Sequence, residues 1–283
     1  MSDSPLGNFG DLSKPVTTLI EKISDAVGGI FKPGQIVRVA KAEAEVSRIQ
    51  AESQIQVSDL YRRAIHRFLE EEAKKQLNIE AITQKALPLI EDKSAPQNVA
   101  DDWITNFFDK SRIVSDGDMQ LLWSRVLAGE ANVPGTFAKR TVNLLADLDK
   151  VDAELFTNLC GFVWKIEDFV PLVFDTDGEH YNRRGINFSS LTHLESLGLI
   201  KFEGIPGFVR QELPKIVAAT YHGKPTNLTF PYEGKNMLSV GYVLFTLAGQ
   251  QLAPVCGSTP VEGFYEFVYD RWASESLVPK RET

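Results

Sequence analysis

The sequence predicts a mostly α protein: a long N-terminal helix and a helical bundle module, followed by a C-terminal α/β winged-helix-like module. Three observations carry that reading. The stretch from Gln35 to Gln76 contains neither Gly nor Pro and is rich in Ala, Glu, Gln, Lys and Arg, a composition of high helix propensity without breakers. Segments up to about residue 168 repeat apolar residues at steps of three and four, the period of one helix face. Beyond about residue 170 the pattern changes to short β-branched and aromatic runs, the signature of strands. The expected divisions are 1–34 (tail and amphipathic helix), 35–78 (long helix), 79–168 (helical module) and 169–283 (winged-helix-like module).

The elements follow in order. Residues 1–10 read as a disordered tail; they are polar and acidic and lack the basic start and apolar run of a signal peptide. "DLSKPVTTLIEKISDAVGGIFKPG" predicts an amphipathic helix with Leu12, Val16, Leu19, Ile20, Ile23, Ala26, Val27, Ile30 and Phe31 on its apolar positions. Ser13 is placed to cap it, Pro15 is tolerated in its first turn, and Gly28, Gly29, Pro33 and Gly34 end it. The next helix spans ~60 Å at the standard rise. Its apolar residues Val46, Ile49, Val57, Leu60, Ile65, Phe68 and Leu69 keep an approximate heptad spacing and need a surface to cover them.

Shorter helices are expected near 79–91, 97–110, 117–130, 136–147 and 150–166. In "SDGDMQLLWSRVLAGE", Ser115 or Asp116 caps, and Met119, Leu122, Trp123, Val126 and Leu127 form one face. "VPLVF" then predicts a strand, and "NFSSLTHLESLGLIKF" a helix running into a strand. "IVAATYHG", "TNLTFP" and "MLSVGYVLFT" predict further strands, "LAGQQLAPV" a short helix and "PVEGFYEFVYDRWASESL" a final helix. That order gives the winged-helix-like expectation.

Hydrophobic residues make up 43% of the chain and charged ones 24%, enough for a sizeable core. The net charge is −8; residues 1–144 hold 18 basic against 20 acidic groups and residues 145–283 hold 12 against 18. Acidity in both halves disfavours a partner bound through its phosphates. No run approaches ~20 apolar residues, so no spanning helix is expected.

The chemistry-bearing residues read as structural. Cys160 and Cys256 lie among apolar neighbours, 96 residues apart, and predict two buried free thiols in a reducing cytoplasm. His66, His180, His193 and His222 show no metal-ligand spacing, and no phosphate loop or nucleophile elbow occurs. Asp101, Asp102, Asp109, Asp116 and Asp118 fall at helix ends, where acids cap and meet the dipole. We therefore expect no cofactor, no metal and no enzyme activity. The expected recognition helix "FSSLTHLESLG" has no Lys or Arg, which favours protein interaction over base reading. Arg62, Arg63 and Arg67 form a candidate basic patch for a nucleic-acid-associated alternative.

The apolar positions Leu12, Val16, Leu19, Ile20, Ile23, Val27, Ile30 and Phe31 form a candidate membrane or assembly face. Lys14, Lys22 and Lys32 are placed to meet anionic headgroups, while Glu21 and Asp25 weaken that attraction and no Trp anchors an interface. Packing against the long helix is the simpler alternative.

"MQLLWSRVLAGEANVPGTFAKRTVNLLADLDKVDAELF" resembles a pattern in uncharacterised bacterial proteins, an "LQxLWAxILAGE" helix, a Pro/Gly break, an "FSxRTLxxLxxL" helix and an "xDAxLF" helix. "DLSKPVTTLIEKISDAVGGIFKPGQIVRVAKAEAE" is similar to the N-terminus of one such domain-of-unknown-function family. More distantly, the helix order and the "LxxLGLI … FTLAGQQL" pattern resemble the abortive infection alpha family of phage-defence proteins. Leu121, Leu122, Leu127, Asp152, Ala153, Leu197, Gly198, Leu199, Thr246 and Gly249 carry that likeness. The resemblance implies a shared fold. The resulting expectation is a cytoplasmic, non-enzymatic interaction or effector protein in phage defence, a homo-oligomer acting through self-assembly, a protein partner or the inner-membrane surface.

Overall fold

A computed structural model describes residues 12–28 and 59–280. The expected tail 1–10, Ile30, Phe31, Lys32 and the part of the expected long helix from 35 to 58, with Val46, Ile49 and Val57, lie outside the described residues. The chain divides into two units, Met1–Val142 and Asn143–Thr283. Among the described residues are ten α-helices and eight strands, so the mostly α class holds.

In the first unit, α1 (Lys14–Val27) has Pro15 in its first turn and ends at Gly28, whose φ of 82° supplies the left-handed C-cap. Ser13 stands at the N-cap, yet its hydroxyl makes no capping bond. The next helix, α2, runs over Asp59–Ala86. It absorbs most of the separate helix expected at 79–91, because nothing breaks the chain before Pro88. Then come α3 (Asp101–Ser111) and α4 (Gly117–Asn132). Asp116 caps α4, its carboxylate accepting the Asp118 and Met119 N–H groups at 3.0 Å. The core is aromatic. Phe107 stacks on Trp103 and meets Trp123 edge-on, both with centroids 5.1 Å apart.

The "LAGE" block explains itself here. Gly129 lies so close to Phe137 that a Cβ would sit 2.7 Å from the ring. Buried Glu130 accepts the N–H of Gly135 at 2.7 Å and of Phe137 at 2.8 Å. These are charge-assisted bonds that lock the Pro134-Gly135 turn. Trp103 Nε1 donates to the Phe137 carbonyl at 2.7 Å. The motif is an architectural clasp.

Helix α5 (Lys139–Ala146) carries the chain across the division, and α6 (Lys150–Cys160) opens the second unit proper. The division into two units falls at 142/143. The physical reason is that α6 is tied to later elements. Phe156 packs on Phe245 at 5.6 Å, and Asp152 Oδ1 lies 2.7 Å from His193 Nε2. The helix expected through 166 stops at Cys160, because Val163–Ile166 forms β1, which pairs with β2 (Asp168–Pro171).

After α7 (Glu179–Asn182) and α8 (Phe188–Ser196) come β3 (Ile200–Phe202), β4 (Phe208–Leu213), β5 (Ile216–Tyr221), β6 (Lys224–Thr229), β7 (Asn236–Gly241) and β8 (Val243–Phe245). Their pairings are nested and antiparallel: β3 with β8, β4 with β7, β5 with β6. The β5–β6 hairpin also joins a four-stranded sheet of order β2-β1-β5-β6. Strand β4 was not expected; its "FVRQEL" has a mixed pattern with two bulges.

Two last helices, α9 (Leu247–Leu252) and α10 (Phe264–Ser274), complete the unit. Thr246 Oγ1 lies 2.7 Å from the Gly198 carbonyl and also accepts the Gly249 N–H. A Cβ on Gly249 would sit 2.2 Å from the Leu199 carbonyl oxygen. The separated "LGL" and "FTLAG" patterns are therefore two sides of one contact.

Candidate assembly surface

The sequence singled out the apolar face of α1, and the structure turns most of it inward. Val16, Leu19, Ile20 and Ile23 are buried, and the helix packs against α3 and the 3₁₀ turn at Pro96–Asn98. Lys22, one of the lysines expected to meet headgroups, is held inside the unit. Its Nζ pairs with Asp101 at 3.0 Å, donates to the Gln97 carbonyl at 3.2 Å and reaches the Val99 carbonyl. Among the described residues this face packs against α3 and the 3₁₀ turn, while Ala26 and Val27 line a cavity with Glu72, Lys75, Gln76 and Ile79 of α2. Leu12 and Val27, at its ends, are partly exposed.

The opposite situation holds on α2. Its inner end is anchored by buried Ile79, Ile82, Thr83 and Ala86, and it packs on α4. From Asp59 to Asn78 no residue is buried, a length of ~30 Å at the helical rise. Yet this outer part carries an apolar stripe. Leu60, Ala64 and Phe68 form one row at steps of four, and Tyr61, Ile65 and Leu69 the adjacent row. Leu60 is 70% exposed, Tyr61 57% and Phe68 60%. Scattered exposed apolar residues are ordinary; a row of them along one helix face is a candidate contact surface.

The charges on the same turns are ordered. Arg62, Arg63 and Arg67 come together on the exposed helix, followed by Glu70, Glu71 and Glu72. Within the helix Arg63 pairs with Asp59 at 3.2 Å and Arg67 with Glu71 at 3.4 Å, exposed pairs of little stability value. The segment therefore has a basic start, an acidic end and an apolar seam. That polarity is complementary to itself when a second copy runs antiparallel. A basic patch flanked by three glutamates is a weaker phosphate surface than the arginines alone suggested.

The acidic residues of interest in the sequence have structural partners. Asp101 holds Lys22, Asp102 holds Lys139, and Asp109 meets Arg112 at 2.8 Å. The Lys139 hydrogen bond keeps the Asp102 carboxyl below the usual range. Among the described residues no group of three or more His, Cys, Asp or Glu could hold a metal ion, and no helix is long and apolar enough to cross a membrane.

The family described as "Protein of unknown function (DUF2806)" matches residues 62–269, and the chain belongs to it. The match starts on the basic turn of α2 and ends within α10, leaving α1 outside it. No curated protein and no solved structure matches the chain.

Proposed function

We propose that this is a non-enzymatic interaction protein that self-associates through the outer half of α2. The observation that carries the reading is the exposure, among the described residues, of Leu60, Phe68 and Leu69 on a helix whose charges reverse sign along its length. Two copies running antiparallel cover each other's seam and set Arg67 of one against the acidic turn of the other. Sedimentation of the full chain tests it: the wild type is a dimer or larger, and Phe68→Glu sediments as a folded monomer. A wild type that stays monomeric at every concentration overturns it.

The setting we propose is phage defence. It is supported by the resemblance carried by Leu197, Gly198, Leu199, Thr246 and Gly249, which are packing and turn positions. Plating a diverse phage panel on bacteria with and without the protein tests that setting, with reduced plating expected and lost in Phe68→Glu.

A further inference from the structure

The sheet β2-β1-β5-β6 has two unlike faces. Successive residues of a strand point to opposite sides. On one side Trp164 stacks on Tyr221 and meets Trp272 edge-on, at centroid distances of 5.2 and 4.7 Å. That face is core. The other side carries Val163, Lys165, Phe169 and Thr220. Lys165 stands directly opposite Phe169 on β2 and Thr220 on β5. An aromatic ring, an ammonium and a hydroxyl thus form one row across three strands.

This second face is the floor of a cleft of about 340 Å³, near the small end of the range for ligand sites, ~300–1,000 Å³. The loop after α9, with Pro254 and Ser258, supplies a further wall. Two contacts hold that wall. Gln250 Nε2 donates to the Phe169 carbonyl at 2.7 Å, and the Cys256 thiol donates to the Ala253 carbonyl at 3.2 Å. Cys160, a buried free thiol at the end of α6, also lines the cleft. The β5–β6 turn brings in His222. Its two residues, His222 and Gly223, have positive φ of 43° and 87°, as a two-residue hairpin loop of type I′ requires, and Asn or Asp is the usual choice where the histidine stands.

The charges around the cleft are one-sided. Its lining holds a lysine and a histidine and no carboxylate, in a chain of net charge −8. The acids that follow β1, Glu167 and Asp168, are taken by Arg210 at 3.2 and 3.5 Å. Among the described residues Lys165 makes no ion pair and the Thr220 hydroxyl makes no hydrogen bond. Lys165 Nζ lies 5.9 Å from the Phe169 centroid, at the outer limit of a cation–π contact. Two neighbouring donors therefore lack an acceptor. A single ammonium matches a single negative charge, whereas a phosphate dianion needs more donors than this floor offers. The apolar side chains beside it call for an apolar body.

We propose that this cleft binds a small aromatic monocarboxylate, its carboxylate on the Lys165 ammonium and the Thr220 hydroxyl and its ring against Phe169, Val163 and Pro254. The site lies wholly within the second unit and does not depend on self-association through α2.

The test titrates benzoate into the full chain at neutral pH and follows backbone amide shifts by NMR. The expected result is saturable binding, with shifts at Gly223 and Gly257, which line the cleft from the sheet and from the loop. Lys165→Gln, checked for folding by circular dichroism, weakens that binding about tenfold. Benzylamine, the same ring with the opposite charge, leaves both amides unmoved. Absence of saturable benzoate binding at millimolar concentration overturns the proposal. So does benzoate that binds Lys165→Gln as tightly as the wild type. Inorganic phosphate that displaces benzoate and binds as tightly overturns it too, because the apolar body then contributes nothing.

Discussion

Helix α1 and the outer half of α2 look alike as sequence and end differently. Both carry an apolar stripe at steps of three and four with charges beside it. In α1 the stripe is covered by α3, and Lys22 is tied to Asp101 and two carbonyl groups. In α2 Leu60, Phe68 and Leu69 are exposed over nearly three turns. An amphipathic pattern says that a face needs covering; it does not say by what. The difference lies in where the neighbouring segments fold. α1 is matched by the aromatic face of α3, which supplies buried Trp103, Phe107 and Phe108, whereas the outer half of α2 extends past the packed end of its own helix.

The largest expected effect breaks the comparison at its buried side. Ile23→Ala removes a fully buried side chain and lowers stability by about 2–5 kcal/mol, while Phe68→Ala, measured in dilute solution, stays within about 0.5 kcal/mol. Paired denaturant melts give both values. Equal losses would show that α2's outer face is packed within the chain.

Next comes the clasp that holds the first unit. Glu130→Gln keeps the shape but removes the charge that receives the Gly135 and Phe137 N–H groups, with an expected loss of about 1.5–3 kcal/mol. Urea melts of the full chain give it, and a change of a few tenths would mean the turn holds itself.

The second unit is expected to lose stability in alkali. Burial raises Tyr221 from the ordinary 10 to about 12, and its hydroxyl donates to the Gly161 carbonyl at 2.7 Å. Burial raises Tyr181 as well. A raised pKa contributes stability that is complete below the unfolded value and is lost as pH rises through the folded one. Stability should therefore fall between pH 10 and about 12, and Tyr221→Phe should flatten that fall. An unchanged slope in the variant would remove Tyr221 from the account.

Much of this was legible. The Gly and Pro breaks located α3 and α4, Asp116 identified its own cap, and "LGLI" announced the helix-to-strand step after α8. The end of α6 was missed because "FVWKI" is as apolar as a buried helix turn, and only its partners β2 and β5 make it a strand. Strand β4 was missed because its exposed residues blur the alternation. The α2 seam was visible as a heptad-like row, but its exposure depends on what the rest of the chain leaves uncovered.

The most direct test of the central claim is a mixing experiment read by sedimentation. One variant reverses the basic turn (Arg62→Glu, Arg63→Glu, Arg67→Glu), and the other reverses the acidic turn (Glu70→Arg, Glu71→Arg, Glu72→Arg). Antiparallel self-association predicts that each variant alone is monomeric or weakly associated and that the equimolar mixture forms a heterodimer. Two variants that both associate as the wild type does, or a mixture that stays monomeric beside a dimeric wild type, would contradict it.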